Sequence, residues 1–124
     1  MRTTIFEIEG SQIALRRRET LDWEPFDEYD GQPLKAVELI ELEQVPNAEL
    51  QLVRIRTGGH FLMHTSPDVA YCQIIEGRGT LNLPGERTVS YAGPELYVFM
   101  PGSLHEWRDI EEDTLLSVCL VKQP

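Results

Sequence analysis

Short apolar runs alternate with turn signals along most of the chain, a pattern typical of β-structure. Glycine, proline, asparagine and aspartate fill the gaps between the runs. Many short strands at a spacing of roughly 8–12 residues predict an all-β sandwich or barrel. The predicted strands are Thr3 to Ile8, Gln12 to Arg16, Ala36 to Leu42, Leu50 to Arg56, His60 to His64, Val69 to Ile75, Thr80 to Leu83, Thr88 to Tyr91, Leu96 to Met100, His105 to Arg108 and Leu115 to Val121.

One stretch is ambiguous between helix and strand. Pro33 to Gln44 carries apolar residues at mixed spacing, including Val37, Leu39 and Ile40. The pattern fits neither period cleanly, and we predict a strand there in preference to a helix.

The stretch from Thr57 to Gly79 organises the rest of the chain. Gly58-Gly59 precedes a short run that ends in His64, and a Ser-Pro-Asp turn follows. The apolar run Val69 to Ile75 then ends at Glu76-Gly77-Arg78-Gly79, where the glycines predict a tight strand-to-strand turn. Two strands with a histidine at the rim of one of them are therefore expected.

The length predicts a single domain, since 124 residues can enclose one core. We divide it into residues 1–35, which hold N-terminal strands and an acidic, aromatic segment, and residues 36–124, which form the barrel. Two prolines and a glycine exclude a long helix from the segment. Its aromatic residues predict that it packs onto the barrel or onto a partner subunit; they are Trp23, Phe26 and Tyr29.

Charge and hydropathy exclude several classes of partner. Asp and Glu outnumber Lys and Arg 21 to 11, which gives a formal net charge of −10. That field repels nucleic acid and anionic membranes. No apolar run reaches the roughly 18 residues of a membrane helix, and no signal peptide is recognisable, so a cytoplasmic protein is expected. The two cysteines, Cys72 and Cys119, are predicted to be free thiols.

Two motifs resemble those of a known family. In the first, the frame Gly58/Gly59, His64-Thr65-Ser66, Ala70 and Gly77 resembles the glycine, histidine-x-histidine, glutamate and glycine pattern of the cupins, and the phrase from Gln73 to Leu81 is similar to that family's strand-turn-strand segment. In the second, Pro101-Gly102-Ser103-Leu104-His105 resembles the proline-x-glycine-x-x-histidine motif, with Asp109 at the place of an asparagine.

The resemblance covers about residues 48 to 121 and implies a small single-domain cupin of the cupin-2 conserved-barrel type. Its fold would be a double-stranded β-helix, or jelly-roll barrel. The family's metal centre uses two histidines and a glutamate from the first motif and one histidine from the second. Here Ser66 stands at one histidine position and Ala70 at the glutamate position, so only His64 and His105 remain.

A third ligand would have to come from elsewhere. Strand alternation places Cys72 on the face of Ala70, about 7 Å further along. A His64/His105/Cys72 site would favour a zinc- or iron-type ion, and the implied cofactor is a divalent metal (Fe, Zn, Mn or Ni). Alternation also puts His60 on the face of His64, but about 13 Å away. In the alternative without a metal, the histidines form hydrogen bonds with each other, with water or with Tyr97, and Cys72 packs in the core.

Other residues on the predicted inner faces are candidates for ligand contact. These are Leu62, Ser66, Ala70, Tyr97, Phe99 and Trp107. Trp107 shares the face of His105, where it would either form the base of a ligand pocket or fill the interior of the barrel.

Three functions remain open at this point. The first is a metal-dependent oxygenase, isomerase or lyase that acts through His64 and His105. The second is a metal-free isomerase or epimerase with one of these histidines as general base and Tyr71 or Tyr97 as acid. The third is a binding or sensor barrel without chemistry, lined by residues such as Ile74, Met100 and Trp107. In each case a small molecule is the expected partner, and the resemblance implies a homodimer formed through the N-terminal strands.

Overall fold

The computed structural model describes residues 1–19 and 22–124, and these residues form strands, turns and loops without a helix. Thr20 and Leu21 of the predicted acidic, aromatic segment lie outside the described residues. Eleven strands follow one another: β1 (Arg2–Glu9), β2 (Gln12–Glu19), β3 (Glu24–Pro25), β4 (Glu28–Tyr29), β5 (Gln32–Pro33), β6 (Lys35–Val45), β7 (Ala48–His64), β8 (Val69–Leu83), β9 (Arg87–Ala92), β10 (Glu95–Phe99) and β11 (His105–Val121). The prediction of an all-β jelly-roll barrel is confirmed, and the ambiguous stretch is a strand, β6.

Three long strands build the barrel. One seven-stranded sheet has the order β10-β8-β11-β7-β6-β3, and β9 pairs with β8 off this path. The first part of β8 pairs with β10 and its last part with β9, while β11 pairs with both β7 and β8, all antiparallel. Each long strand thus runs from one part of the barrel wall into another, with register shifts in β11 where the neighbours change.

The predicted breaks inside these strands are wrong. Gly58-Gly59 lies within β7 rather than in a turn, and Glu76-Gly77-Arg78-Gly79 lies within β8. Likewise, Asp109 to Thr114 is part of β11. Gly59, Gly77 and Gly79 allow close packing here instead of chain reversal, which explains why turn chemistry misled the prediction.

Gly77 and Gly79 lie against β11 with no room for a side chain. A Cβ on Gly77 would lie 2.6 Å from the Asp113 carbonyl oxygen and from Thr114 Oγ1, and the residue has a φ of +104°. A Cβ on Gly79 would lie 2.8 Å from the Tyr91 hydroxyl. Glycine is therefore required at Gly77 both for its backbone conformation and for the approach of the neighbouring strand.

Beside these glycines the barrel interior is solidly packed. The largest fully buried side chains are Ile55, Ile74, Tyr91 and Thr114. The Tyr91 hydroxyl and Thr114 Oγ1 form a hydrogen bond of 2.7 Å, so these two buried hydroxyls are paired with each other. We call this region the closed half of the barrel.

The acidic, aromatic segment packs onto the barrel, one of the two outcomes predicted for it. Phe26 and Tyr29 contact the main core, and the Phe26 ring stacks on Phe61 at 5.9 Å. Trp23 instead covers a second apolar cluster on the outer side of β6 and β7, formed by Ile40, Leu42 and Leu52. The guanidinium of Arg54 lies 4.3 Å from the centroid of the Trp23 ring.

The N-terminal strands β1 and β2 form a separate two-stranded hairpin. Phe6 pairs with Leu15 and Ile8 with Ile13, and all four side chains are exposed in the single chain. The homodimer expected through these strands stays a prediction. Among the residues that the structure describes, no helix is long and apolar enough to cross a membrane.

Candidate functional site

A bulge near the end of β7 determines which side chains enter the barrel. His64 pairs with His105 and Phe61 pairs with Trp107, so two residues of β7 stand opposite one residue of β11. This extra residue breaks the alternation of the strand, and both Phe61 and His64 face the interior. His60 is displaced from the interior by the same bulge. Its Nε2 lies 2.6 Å from the Glu106 carboxylate, which corrects the expectation that it shares the face of His64.

The two histidines lie next to each other in a row of rings. Ring centroids are 4.3 Å apart for Phe61 and His64, 4.4 Å for His64 and His105, and 3.7 Å for His105 and Phe99. The His105 and Phe99 planes differ by only 9°, so these rings stack face to face. The structure thus brings together the two histidines singled out in the sequence and fixes them between aromatic neighbours.

Backbone hydrogen bonds determine which nitrogen of each ring carries the proton. His64 Nδ1 lies 2.8 Å from the Leu62 carbonyl oxygen, and His105 Nδ1 lies 3.1 Å from the Ser103 carbonyl oxygen. Because a carbonyl oxygen only accepts, each Nδ1 must donate. In the neutral ring, Nε2 is then an acceptor, and within the described part of the chain neither Nε2 has a hydrogen-bond partner.

Both imidazoles are neutral at physiological pH. Burial lowers the pKa of His105 to about 4, with a further contribution from the neighbouring His64. Burial also lowers the pKa of His64, against the opposing effect of its bond to the Leu62 carbonyl. The pair therefore presents two lone pairs and no positive charge.

The histidines line a cavity of 310 Å³ in the half of the barrel opposite the packed glycines. We call this region the open half. Its walls are mainly apolar and aromatic, and its mouth carries polar side chains. The lining residues are Phe26, Tyr29, Leu39, Glu41, Gln51, Val53, Phe61, His64, Thr65, Ser66, Asp68, Ala70, Cys72, Phe99, Met100, Ser103, His105, Trp107, Leu116, Val118 and Leu120.

Most predicted contact residues lie on this cavity, but two lie elsewhere. Ser66, Ala70, Phe99 and Trp107 line it, whereas Leu62 lines an adjoining, more open depression beside Met63 and Leu104. Tyr97 packs beside Trp107 in the core with ring centroids 6.4 Å apart, and burial raises its pKa to about 12.

Tyr71, an alternative acid in the metal-free hypothesis, is on the outer face of β8. Its inward neighbours Ala70 and Cys72 are buried, while Tyr71 is exposed. A side chain on the outer face cannot reach a substrate held by His64 and His105 from within the barrel, so this part of the hypothesis is wrong.

The residues of the cavity do not fit a tightly held divalent metal. Tight sites use three or four protein ligands. In residues 1–19 and 22–124, no group of three or more His, Cys, Asp or Glu side chains is arranged to hold an ion. Cys72 is buried, and burial raises its pKa to about 12, so without a metal the thiol is protonated. The His64/His105/Cys72 site is therefore not assembled as predicted.

Several lining residues escaped the sequence analysis. Phe61 was not among the predicted contact residues, because the bulge that turns it inward has no sequence signal. Gln51 and Val118 lie on strands whose inward faces were not assigned. Tyr29 was expected to pack onto the barrel, but its T-shaped contact with His64 at 5.2 Å depends on the path of the preceding irregular segment.

Taken together, the three long antiparallel strands, the paired motifs and the histidines inside the barrel define a small cupin-type domain. Comparison with solved structures agrees. The cupin domain of Cnp3 from Schizosaccharomyces pombe superposes with a TM-score of 0.70 at 9% identity, covering 98% of this chain and 88% of that one.

Two bacterial structures are similar to the same degree. Rru_A2000 from Rhodospirillum rubrum, a cupin-2 domain, gives a TM-score of 0.67 at 19% identity and covers 82% of this chain and 70% of its own. A cupin 2 conserved barrel domain protein from Rhodopseudomonas palustris gives a TM-score of 0.66 at 23% identity, and the match covers 83% of this chain and 72% of that one. At these identities the likeness establishes the fold alone. No protein-family model matches the chain, and no curated protein matches it.

Proposed function

We propose that this barrel binds a small, mainly apolar molecule in its open half, with Nε2 of His64 and Nε2 of His105 as the central polar contacts. The observation that carries the proposal is the cavity of 310 Å³ with both neutral histidines in its wall. Pockets of this kind, apolar with a few convergent polar groups, are the usual form of a small-molecule site.

Two features support a bound ligand rather than an unfilled core. The lining of the open half includes serine, glutamine and carboxylate side chains, residue types that are seldom part of an apolar core. The histidines are also held rigidly by stacking and by their bonds to Leu62 and Ser103, so a ligand donor would meet acceptors that are already oriented.

The proposal is tested by filling the cavity. Val118 lines it between Gln51 and Cys72, so Val118→Phe should occupy the space and abolish binding of small aromatic fragments. Val98→Phe makes the same change at an exposed position on β10 and serves as the matched control. Binding is measured by protein-observed NMR with a library of fragments.

Shifts of the His64 and His105 ring resonances in wild type and Val98→Phe, but not in Val118→Phe, would support the proposal. It would be overturned by a library in which no fragment perturbs either ring, or by equal binding to Val118→Phe.

A second candidate is proton transfer without a metal. A neutral imidazole with an unpartnered Nε2 can take a proton from a bound substrate, and both histidines meet that condition. Deuterium incorporation into a bound fragment in D2O, lost in His64→Gln or His105→Gln, would favour this candidate over binding alone.

Elemental analysis separates both candidates from a metalloenzyme. Because only two imidazoles supply ligands, we expect far less than one metal per chain in protein purified without a metal-affinity tag. Near-stoichiometric iron, zinc, manganese or nickel that disappears in the His64→Ala/His105→Ala double variant would replace our proposal with a metal-dependent one.

We also propose that the chain forms a homodimer through the β1–β2 hairpin. An isolated two-stranded hairpin is only marginally stable in water, and this one exposes Phe6, Ile8, Ile13 and Leu15. Sedimentation velocity should give a dimer for wild type and a monomer for Phe6→Ser/Ile8→Ser. A monomeric wild type would contradict the proposal.

A further inference from the structure

The inner surface of the open half offers hydrogen-bond acceptors and no positive charge. No lysine or arginine lines the cavity in the described part of the chain. The two histidines are neutral, and their Nδ1 atoms are already bonded to carbonyl oxygens, so each ring can only accept from a ligand through Nε2. An anionic ligand would find no cationic side chain among the lining residues to compensate its loss of hydration.

The mouth of the cavity carries an excess of negative charge. Asp68 lies there, and its carboxylate pairs with Lys122 Nζ at 3.0 Å, while Glu49 lies 3.8 Å from the same nitrogen. Glu41 also lines the cavity, and no ion pair reaches its carboxylate from the described residues; Arg18 bonds only its backbone carbonyl and pairs with Glu43. The lining itself carries the two carboxylates of Glu41 and Asp68, a formal charge of −2 that Lys122 partly offsets from outside the lining.

Gln51 adds another acceptor beside Glu41. Its side-chain nitrogen donates to Glu49 Oε1 at 2.7 Å, which leaves its carbonyl oxygen without a partner among the described residues. Glu41 and Gln51 are direct cross-strand neighbours on β6 and β7, so the two acceptors lie side by side at the mouth. The aromatic rings of Phe61, Phe99 and Trp107 lie further in and suit both an apolar body and a nearby cation.

We infer that the ligand of this cavity is a small organic cation, an amine with an aromatic or otherwise apolar body. The inference rests on the proposed function, because it names the class of molecule that the same cavity takes. Donor groups of the ammonium would find acceptors at His64, His105 and Gln51, and the carboxylates of the lining together with the net charge of −10 would attract it over neutral or anionic molecules of the same shape.

Three probes of nearly equal shape test the charge preference: phenethylamine, 2-phenylethanol and 3-phenylpropanoate. Affinities are measured by NMR titration of the full chain at pH 7.0 and low salt, a condition chosen for roughly full ionisation of amine and acid. We expect the amine to bind about tenfold more tightly than the alcohol, the acid to bind most weakly, and the preference to shrink with added salt.

Charge removal at the mouth provides the matched variants. Glu41→Gln should weaken the amine about threefold and leave the alcohol unchanged. Glu9→Gln removes the same charge at the tip of the N-terminal hairpin and should change neither affinity. A preference that survives Glu41→Gln undiminished would show that the mouth does not recognise the cation.

The inference is overturned by equal affinities of amine and alcohol, by tighter binding of the acid, or by failure of all three probes. The proposed function has a separate test in the fragment library. If fragments bind, Val118→Phe blocks them and the three probes show no preference for the amine, only the inference of a cationic ligand is wrong. If no fragment binds either, the proposed function is wrong as well.

Discussion

The two halves of the barrel interior are built from the same long strands but differ in how completely they are filled. In the closed half, Ile55 and Thr114 are 0% exposed and the Tyr91 hydroxyl is paired with Thr114. In the open half, the same strands surround a cavity of 310 Å³ and two histidines whose Nε2 atoms have no partner in the described chain.

This difference separates stability from function along one set of strands. Close packing in the closed half supplies dispersion contacts and apolar burial, which stabilise the fold. The open half gives up such contacts, and its histidines and inward polar side chains are tolerated because the closed half provides the stability. Substitutions in the two halves should therefore have different costs.

The largest difference is expected for truncation of a branched apolar side chain. Ile74→Ala in the closed half should lower the free energy of unfolding by about 4 kcal/mol, because the fully packed surroundings leave a cavity. Leu120→Ala, on the wall of the existing cavity, should cost only about 1 kcal/mol, since fewer contacts are lost. Urea denaturation measures both. Equal losses would mean that the interior is uniformly packed.

A Cβ added between the strands should cost slightly less. Gly77→Ala should lower the free energy of unfolding by about 3 kcal/mol, because the new methyl group meets Asp113 and Thr114 at 2.6 Å and the φ is positive. Gly85→Ala, with a φ of +77° but nothing within 4 Å, should cost about 1 kcal/mol. If the two variants unfold at the same urea concentration, close approach at Gly77 contributes nothing beyond backbone strain.

Mild acid should destabilise the protein through the open half. Burial lowers the pKa of His105 in the folded protein to about 4, from an ordinary value of about 6.5, so the unfolded chain takes up the proton first as the pH falls. Keeping His105 neutral stabilises the folded protein fully at a pH above the pKa of His105 in the unfolded chain. This stabilisation is lost as the pH falls toward the pKa of His105 in the folded protein. We expect a loss of about 2 kcal/mol between pH 7 and pH 5.

Burial of His64 acts in the same direction. Urea midpoints measured at pH 7, 6 and 5 should shift less in His105→Gln than in wild type. The carboxylates with lowered pKa values, such as Glu38 and Asp113, titrate at more acidic pH, so they contribute little to the change in stability between pH 7 and pH 5. An unchanged slope in His105→Gln would show that protonation of this ring is not linked to unfolding.

The smallest difference concerns tyrosine hydroxyls. Tyr91→Phe should cost about 1 kcal/mol, because it removes the 2.7 Å bond to Thr114 in the closed half. The Tyr29 hydroxyl bonds the Thr65 carbonyl at 3.4 Å near the cavity, and Tyr29→Phe should cost less than about 0.5 kcal/mol. Thermal unfolding resolves the two, and a larger loss for Tyr29→Phe would reverse our assignment of the halves.

Much of the fold was predictable from local pattern. Strand positions follow from alternating apolar runs, and the turns at Pro46-Asn47 and Pro84-Gly85-Glu86 lie where the sequence indicates them. The continuity of the long strands was not predictable. Gly77 carries the same turn signal whether the chain reverses or another strand passes close by, and only the tertiary neighbours decide between these outcomes.

The site was predictable at the level of its two histidines and not of its surroundings. The motifs at His64 and His105 brought them together correctly because each motif lies at a strand end of the same pair. Cys72 does face inward as alternation indicates, but its protonation depends on burial, which no local pattern reports. The contacts of Phe61 and Tyr29 with His64 depend on a bulge and on an irregular segment.

The two-residue bulge of β7 has a consequence for reading other sequences of this fold. Because Leu62 and Met63 stand opposite the single residue Glu106, the inward positions before and after the bulge have opposite parity. A relative with one residue fewer at this place would carry its histidine at an unchanged distance from the Ser-Pro-Asp turn but at a shifted distance from Gly58-Gly59. Homologous positions in this strand should therefore be numbered backward from the turn, since counting forward from the glycines would place the histidine of such a relative at the position of Met63.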